Sequence, residues 1–190
     1  MRLTDSSITV APEEIFDHED LERLYLTNNK FINLSSELAN LVNLVQLDVS
    51  NNLLIEIPDA FNNLSKMHTF KAKGNKLKTI PSFKGCLALT YVDLSCNEIE
   101  DFSPIIDSDL NKLQNLELQH NEIREIPETV SKLSVVKTLD LQNNKITVVH
   151  GHLAECIKLK GKLSYVNLIS KPLDIIEYCL PFLCYQIHII

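Results

Sequence analysis

Apolar residues in this chain recur in a short pattern that is repeated six times. Each copy has apolar residues at its first, fourth, sixth and eleventh positions and an asparagine at its ninth. The copies read LERLYLTNNKF, LVQLDVSNNLL, MHTFKAKGNKL, LTYVDLSCNEI, LQNLELQHNEI and VKTLDLQNNKI. Their asparagines, which stand 22 to 24 residues apart, are Asn29, Asn52, Asn75, Asn97, Asn121 and Asn144. A period of this length indicates stacked supersecondary units.

Alternation inside each copy predicts a short β-strand whose two inner apolar side chains point to one face. A single unit cannot bury that face, so neighbouring units must stack and share one apolar core. Stacked strands of this kind form a parallel sheet, in which every strand needs a return connection. For polar stretches such as PDAFNNL and PETVSKL we expect short helices or irregular turns. The connection SPIIDSDLNK, after Phe102, is irregular and predicts a small bulge on the convex side.

These features resemble the leucine-rich-repeat family, in its class of cytosolic proteins with repeats of roughly 23 residues. The resemblance covers residues 21 to about 160 and includes an Ile-Pro continuation at Ile57-Pro58, Ile80-Pro81 and Ile126-Pro127, with a weaker version at Ala11-Pro12. It implies an α/β solenoid with a curved parallel β-sheet on the concave face and short helices or turns on the convex face. It also implies a buried asparagine ladder, since an Asn side chain both donates to and accepts from backbone groups. An unmatched buried polar group costs about 1–3 kcal/mol.

We expect the whole chain to form one domain with three parts. Residues 1–20 are a partial N-terminal repeat with Ser6 in the asparagine position, and residues 21–162 are six regular repeats. Residues 163–190 are a degenerate repeat, with Lys171 in the asparagine position, followed by an apolar tail. The tail is interpreted as a packed terminal cap, as a docking surface or truncated boundary, or as a membrane anchor.

Strand side chains between the inner apolar residues are expected to point outward on the concave side, where repeat proteins bind partners. The middle column is acidic at four of seven positions, so a partner with a basic surface would complement it. The tyrosines are candidate anchors, because tyrosine combines apolar area with a hydroxyl. The two lysines would fix register by pairing with an acid on the partner. The predicted partner-binding residues are Arg23, Tyr25, Asp48, Lys71, Lys73, Tyr91, Asp93, Glu117, Asp140 and Tyr165. A merely solvated face is the alternative, since an acid in this column is common in the family.

Composition limits the classes of partner and the cellular compartments that we expect for this chain. The net charge of −7 argues against nucleic acid, because an acidic chain repels phosphate backbones. The five cysteines include no CxxC pair and imply no disulfide framework, which favours a reducing compartment. The N-terminal residues MRLTDSSITVAPEEIF lack the apolar run of a signal peptide. Cytoplasm, or the nucleus, is therefore the expected location, and a membrane is not an expected partner.

Residues with catalytic or metal-binding potential form no convincing site. His150 and His152, with Cys156 nearby, lack a carboxylate in register and make a poor metal site. Cys96 and His120 occupy equivalent positions in consecutive repeats, yet nothing supplies an oxyanion hole or a third orienting group. No GxGxxG or GxxxxGK[ST] motif is present. We therefore expect no enzyme activity, no cofactor and no metal.

The function expected from this pattern is that of a scaffold or adaptor that binds a protein partner through the concave face. The stretch VKTLDLQNNKITVVHGHLAECIKLK also resembles the last repeats of leucine-rich-repeat proteins that continue into a phenylalanyl-tRNA-synthetase beta-like domain. The alternative is therefore a fragment or isoform of a larger protein of this kind with an RNA-linked or tRNA-synthetase-linked role. The sequence leaves the oligomeric state open.

Overall fold

Short parallel strands dominate the architecture. The computed structural model describes residues 1–149 and the strand at residues 165–167. The strands in chain order are β1 (Arg23–Tyr25), β2 (Gln46–Asp48), β3 (Thr69–Lys71), β4 (Tyr91–Asp93), β5 (Asn115–Glu117), β6 (Glu125–Ile126), β7 (Thr138–Asp140), β8 (Val148–Val149) and β9 (Tyr165–Asn167). Seven of them form one sheet in the order β1-β2-β3-β4-β5-β7-β9, and β6 pairs with β8 in a second sheet.

Every strand pair in the large sheet is parallel and is aligned residue for residue. Tyr25 pairs with Asp48, Asp48 pairs with Lys71, and the same register continues to Asp140 and Asn167. Equivalent positions of successive repeats therefore form straight columns across the sheet. The parallel solenoid that the spacing predicts is confirmed, and β9 places a strand where the seventh, degenerate unit was expected.

Short helices provide most of the return connections. Within residues 1–149, four are 3₁₀-helices and one is an α-helix, α1, and their bounds are Glu13–Asp17, Ser36–Asn40, Asp59–Asn63, Ser103–Ile106 (α1) and Glu128–Lys132. Pro12, Pro58 and Pro127 each stand just before a 3₁₀-helix. Proline suits this place because it has a fixed φ and lacks an N–H that the first turn would leave unpaired. The irregular connection after Phe102 contains α1.

The third repeat has a turn where its neighbours have a helix. No helix follows Pro81, and the chain instead passes through turns around Gly85. A side-chain Cβ on Gly85 would lie 1.8 Å from the carbonyl oxygen of Asn62 in the preceding repeat. The missing side chain thus lets two consecutive return connections approach each other closely.

The core runs through the stack as a continuous apolar layer. The inner apolar residues of the strands are fully or almost fully buried, as Leu24, Leu47, Phe70, Val92, Leu116 and Leu139 are. Five phenylalanine side chains, from the strands and from the segments that connect them, are fully buried in this layer: Phe31, Phe61, Phe70, Phe83 and Phe102. The rings of Phe70 and Phe83 meet edge to face with centroids 5.5 Å apart. Such pairs add about 0.5–1.5 kcal/mol beyond the burial of their area.

The repeated asparagines connect each repeat to the one before it. Asn52 donates from Nδ2 to the carbonyl of Leu26 (3.0 Å) in the preceding repeat and to that of Val49 (2.9 Å) in its own. Its Oδ1 accepts from the amide of Phe31 at 3.1 Å. Equivalent bonds are made by Asn75, Asn97, Asn121 and Asn144. The amides thus pair backbone groups at a turn that would otherwise leave them without partners.

The partial repeat at residues 1–20 supplies the partners of the first asparagine. Asn29 accepts from the amides of Ser6 and Ile8, both at 3.1 Å, and donates to the carbonyl of Leu3 at 2.7 Å. Ser6 stands in the asparagine position but is exposed, and its hydroxyl donates to Thr4 instead of to a neighbouring repeat. Lys171, the apolar tail, His150, His152 and Cys156 lie outside the described residues.

Candidate partner-binding face

The concave face consists of the strand side chains that point away from the core. Its middle column reads Tyr25, Asp48, Lys71, Asp93, Glu117 and Asp140, all of them half-buried. Adjacent strands of a sheet lie about 4.8 Å apart, so neighbours in the column are close enough to interact directly. The backbones of Tyr165 and Asn167 continue the first and middle columns. Of the predicted residues, Arg23 and Lys73 are exposed and flank the middle column.

The three aspartates of this column are held in place by their own strand ends. Oδ1 of Asp48 accepts from the amide of Ser50 at 3.0 Å, and Oδ1 of Asp140 accepts from that of Gln142 at 2.9 Å. Asp93 accepts from both the amide and the hydroxyl of Ser95, at 3.0 and 2.6 Å. Side-chain bonds of this kind satisfy backbone donors where a strand turns. The aspartates therefore have a structural role, which also orients their carboxylates before any partner arrives.

Glu117 stands between two other carboxylates of the middle column. It pairs in register with Asp93 on one side and Asp140 on the other. Burial raises its pKa, and Asp140 and Asp93 raise it further, while Lys73 lowers it. Three neighbouring carboxylates thus concentrate negative charge on β4, β5 and β7. We call Asp93, Glu117 and Asp140 the acidic triad.

Two tyrosines that the sequence predicts as anchors already contact cations of the chain. The guanidinium of Arg2 lies 4.9 Å from the ring centroid of Tyr25, and the ammonium of Lys71 lies 5.3 Å from that of Tyr91. The hydroxyl of Tyr25 donates to Oε1 of Gln46 at 3.1 Å. Burial raises the pKa of Tyr91 to about 12, and the carboxylates of Asp93, Glu117 and Asp48 contribute to the same shift. A cation on an aromatic face contributes about 0.5–1 kcal/mol at an exposed site.

A second regular column, at the turn after each strand, was not identified from the sequence. Its residues have a positive φ between 55° and 68° and are Asp5, Asn28, Asn51, Gly74, Cys96, His120 and Asn143. Asparagine, aspartate and glycine are the residues that adopt this left-handed conformation most readily, and their recurrence one position before the ladder asparagine was an available signal. Asn51 donates to Oδ1 of Asn28 at 2.8 Å.

Cys96 and His120 both lie in this turn column. They are neighbours because they occupy equivalent positions of consecutive repeats. Nε2 of His120 is 3.2 Å from Nδ2 of Asn143, so the ring is engaged with the following repeat. Within residues 1–149, no group of three His, Cys, Asp or Glu side chains is arranged to hold a metal ion. The same part of the chain contains no helix with the length and apolar character needed to cross a membrane.

Comparison with known families supports the repeat assignment directly. A family model described as leucine rich repeat matches residues 82–123 and 111–160, and a second model with the same description matches residues 43–64. Both matches fall on the repeat units that carry the buried asparagines.

Curated relatives share the repeat region and are much longer. The chain is 34% identical over 117 residues to the protein flightless-1 homolog of Caenorhabditis elegans, a match that spans 59% of this chain and 9% of the relative. It is 32% identical over 144 residues to the PH domain leucine-rich repeat-containing protein phosphatase 1 of Homo sapiens, a match that spans 75% of this chain and 8% of the relative. The similarity therefore extends to the repeats and not to the remainder of these proteins.

Solved structures show the same architecture. A leucine-rich-repeat protein of Leptospira interrogans superposes with a TM-score of 0.76 at 28% identity, over 90% of this chain and 44% of that one. The leucine-rich-repeat ectodomain of the Arabidopsis thaliana membrane receptor kinase GASSHO1/SCHENGEN3, solved in complex with CASPARIAN STRIP INTEGRITY FACTOR 2, superposes with a TM-score of 0.67 at 28% identity, over 78% of this chain and 19% of that one. Leucine-rich-repeat domains commonly bind protein partners and typically act as non-enzymatic binding scaffolds. By its repeats, its family matches and its fold, this chain belongs to the leucine-rich-repeat family.

Proposed function

We propose that this chain is a non-enzymatic scaffold or adaptor that binds a protein partner with a basic surface through its concave face. The observation that carries the proposal is the acidic triad. Three carboxylates stand on neighbouring strands, and Asp93 and Asp140 add to the effect of burial in raising the pKa of Glu117 between them. Side chains of this column are not needed to fill the core, and the strand-end hydrogen bonds of Asp93 and Asp140 do not call for a third acid at Glu117 between them.

A basic partner would relieve the repulsion within the triad. Two unit charges about 4 Å apart interact by about 1 kcal/mol in bulk water and by about 4 kcal/mol near a protein surface. A lysine or arginine of the partner placed between Asp93 and Glu117 would therefore convert repulsion into attraction. The hydrogen bonds that already orient Asp93 and Asp140 reduce the entropy lost on binding.

Other features of the concave face support a protein rather than a small molecule as the partner. The column is straight and extends over six consecutive strands, β1 to β5 and β7. Tyr25 and Tyr91 provide half-buried aromatic area at two points of the face. The plant receptor ectodomain described above was solved in complex with a separate factor, CASPARIAN STRIP INTEGRITY FACTOR 2, and binding of a separate partner is the use proposed for this chain.

The test is charge reversal of the triad in the full chain. We expect Asp93→Lys/Glu117→Lys to lose the partner recovered by affinity capture with the wild-type protein, and binding of the wild type to weaken as salt is raised. The matched control is Glu13→Lys/Glu14→Lys, which changes the net charge equally at exposed residues of the first 3₁₀-helix. Circular dichroism of both variants checks the fold. Recovery of the same partners by a folded Asp93→Lys/Glu117→Lys variant would show that the triad is not the binding site.

A further inference from the structure

A second surface lies on the side of the solenoid, just after the ladder asparagines. Two positions of each repeat form it, the first one residue and the second three residues after the buried asparagine. The first column reads Lys30, Leu53, Lys76, Glu98, Glu122 and Lys145, and the second reads Ile32, Ile55, Lys78, Glu100, Arg124 and Thr147. We call them the lateral columns.

Backbone hydrogen bonds fix neighbouring members of these columns side by side. The amide of Ile55 donates to the carbonyl of Ile32 at 3.2 Å, and the amide of Lys76 donates to the carbonyl of Leu54 at 2.9 Å. Leu53 donates in the same way to Phe31, at 2.9 Å. The side chains at 30, 53 and 76, and those at 32 and 55, therefore occupy successive places on one face, and Lys78 stands at the next equivalent position of the repeat.

The N-terminal half of this face is apolar and exposed. Ile32 is 50% exposed, Leu53 39% and Ile55 51%, although the other large aliphatic residues of these repeats are mostly buried. Lys30, Lys76 and Lys78 surround the three aliphatic side chains and are exposed as well. We call these six residues the lateral patch. Contiguous exposed apolar area with a polar rim is typical of an interaction site.

In the C-terminal half of the same columns, acidic and basic side chains form ion pairs with each other. Glu100 pairs with Arg124 at 3.5 Å, and Glu122 pairs with Lys145. In contrast, within the described part of the chain no carboxylate lies within the 4.0 Å ion-pair distance of Lys30, Lys76 or Lys78. Both halves stand at equivalent positions of the repeat, so the difference in ion pairing comes from the residues that occupy those positions.

The charge around the patch is unusual for this chain. Residues 60–92 contain six lysines and no aspartate or glutamate, although the whole chain has a net charge of −7. The lysines are Lys66, Lys71, Lys73, Lys76, Lys78 and Lys84. Glu56 and Glu98 border the patch but make no ion pair with its lysines. Residues 60–92 therefore form a positive zone within an acidic chain.

We propose that the lateral patch binds a short acidic segment of a partner protein, with aliphatic or aromatic side chains of that segment against Ile32, Leu53 and Ile55 and its carboxylates beside Lys30, Lys76 and Lys78. Opposite charges steer such a segment to the patch, and the apolar contact provides affinity. The patch has neither an arginine nor an aromatic side chain, which nucleic-acid sites use for phosphate pairing and base stacking. Its three lysines are fewer than the roughly four to eight basic residues with which proteins recognise an anionic membrane.

The experiment uses short random peptides displayed on phage and selected on the full wild-type chain. We expect the enriched peptides to combine aspartate or glutamate with leucine, isoleucine or phenylalanine. A synthetic copy of the leading peptide should bind at least about tenfold more weakly to Lys76→Glu/Lys78→Glu and to Leu53→Ser/Ile55→Ser than to wild type. Replacing exposed apolar residues by serine leaves the core intact, so these variants are expected to fold.

Two controls locate the binding. Lys66→Glu/Lys84→Glu makes the same charge change at two exposed lysines outside the patch and should leave peptide binding unchanged. Asp93→Lys/Glu117→Lys should also leave it unchanged, so this proposal and that for the concave face fail independently. Enrichment of basic peptides, no enrichment at all, or equal affinity in the Lys76→Glu/Lys78→Glu variant would overturn the proposal. Flotation with phosphatidylserine vesicles that depends on Lys76 and Lys78 would overturn it in favour of a lipid surface.

Discussion

Asn97 shows how one side chain can serve two repeats. Its Nδ2 donates to the carbonyls of Ala72 and Leu94, at 3.0 and 2.9 Å, and its Oδ1 accepts from the amide of Leu77 at 3.1 Å. The residue is buried, so water cannot replace these bonds. Its contribution comes mainly from the backbone groups that it prevents from being left unpaired.

Replacement of Asn97 by alanine should therefore destabilise the protein strongly. We expect Asn97→Ala to lower the free energy of unfolding by about 3 kcal/mol, because each buried polar group left without a partner costs about 1–3 kcal/mol. Urea denaturation followed by circular dichroism measures the change. Asn111→Ala, at an exposed asparagine, is the control and should stay within about 0.5 kcal/mol of wild type. Equal stability of the two variants would show that the ladder bonds contribute little.

Glu117 is expected to reduce stability at neutral pH. Its pKa in the folded protein is raised, so the unfolded chain ionises it more readily and stability is lost as the pH rises through the folded pKa. Glu117→Gln should therefore unfold at a higher urea concentration than wild type at pH 7, and the difference should vanish below the ordinary glutamate pKa of about 4.5. Glu98→Gln, at an exposed glutamate, is the comparison at both pH values. If Glu117→Gln is more stable and also loses the partner, Glu117 is a residue that lowers stability and is retained for binding.

The elements divide into those that the sequence predicts and those that it does not. The strands β1 to β5, β7 and β9 follow from apolar alternation, because only one register places both inner residues of every unit in the core. The return connections are less constrained, since a turn and a 3₁₀-helix can bury the same few apolar side chains. Pro81 resembles Pro58 and Pro127 in sequence, yet no helix follows it. The difference depends on the close approach of Gly85 to Asn62 in the preceding repeat. A contact between two repeats cannot be predicted from the pattern of one repeat.

The turn of the third repeat should be sensitive to a single methyl group. Gly85→Ala would place a Cβ 1.8 Å from the carbonyl oxygen of Asn62, which is backbone and cannot rotate away. We expect the two return connections to separate and the free energy of unfolding to fall by about 3 kcal/mol, at the upper end of the cost of overpacking. Thermal melts compare this variant with Lys84→Ala, at the neighbouring exposed residue. A melting temperature of Gly85→Ala equal to that of Lys84→Ala would contradict the close approach.

At the scale of the whole molecule, equivalent positions of successive repeats line up and together form extended surfaces. The columns of the concave face follow from the sequence once the register is known, and Asp48, Asp93, Glu117 and Asp140 lie where the spacing predicts. The contacts between columns do not follow, because side-chain rotamers decide them. The ammonium of Lys71, for example, lies against the ring of Tyr91 on the next strand, a contact that the spacing does not reveal. The lateral patch was also missed, since Leu53 and Ile55 resemble core residues until their direction is known.

The partial repeat at residues 1–20 packs against the first regular repeat, and its removal should have a local effect. It buries Ile15 against the core and provides the carbonyls that accept from the amides of Tyr25 and Lys30, at 3.1 and 2.8 Å. A chain that begins at Leu21 should lose at least about 2 kcal/mol, the cost of exposing one large aliphatic side chain. In hydrogen exchange, the amides of Tyr25 and Lys30 should lose protection first. The amide of Leu118, bonded to Asp140 at 2.8 Å, should keep its protection, because a repeat contacts only its neighbours. Equal loss at all three amides would show that the stack opens as one unit and that residues 1–20 stabilise the whole solenoid rather than its first repeats.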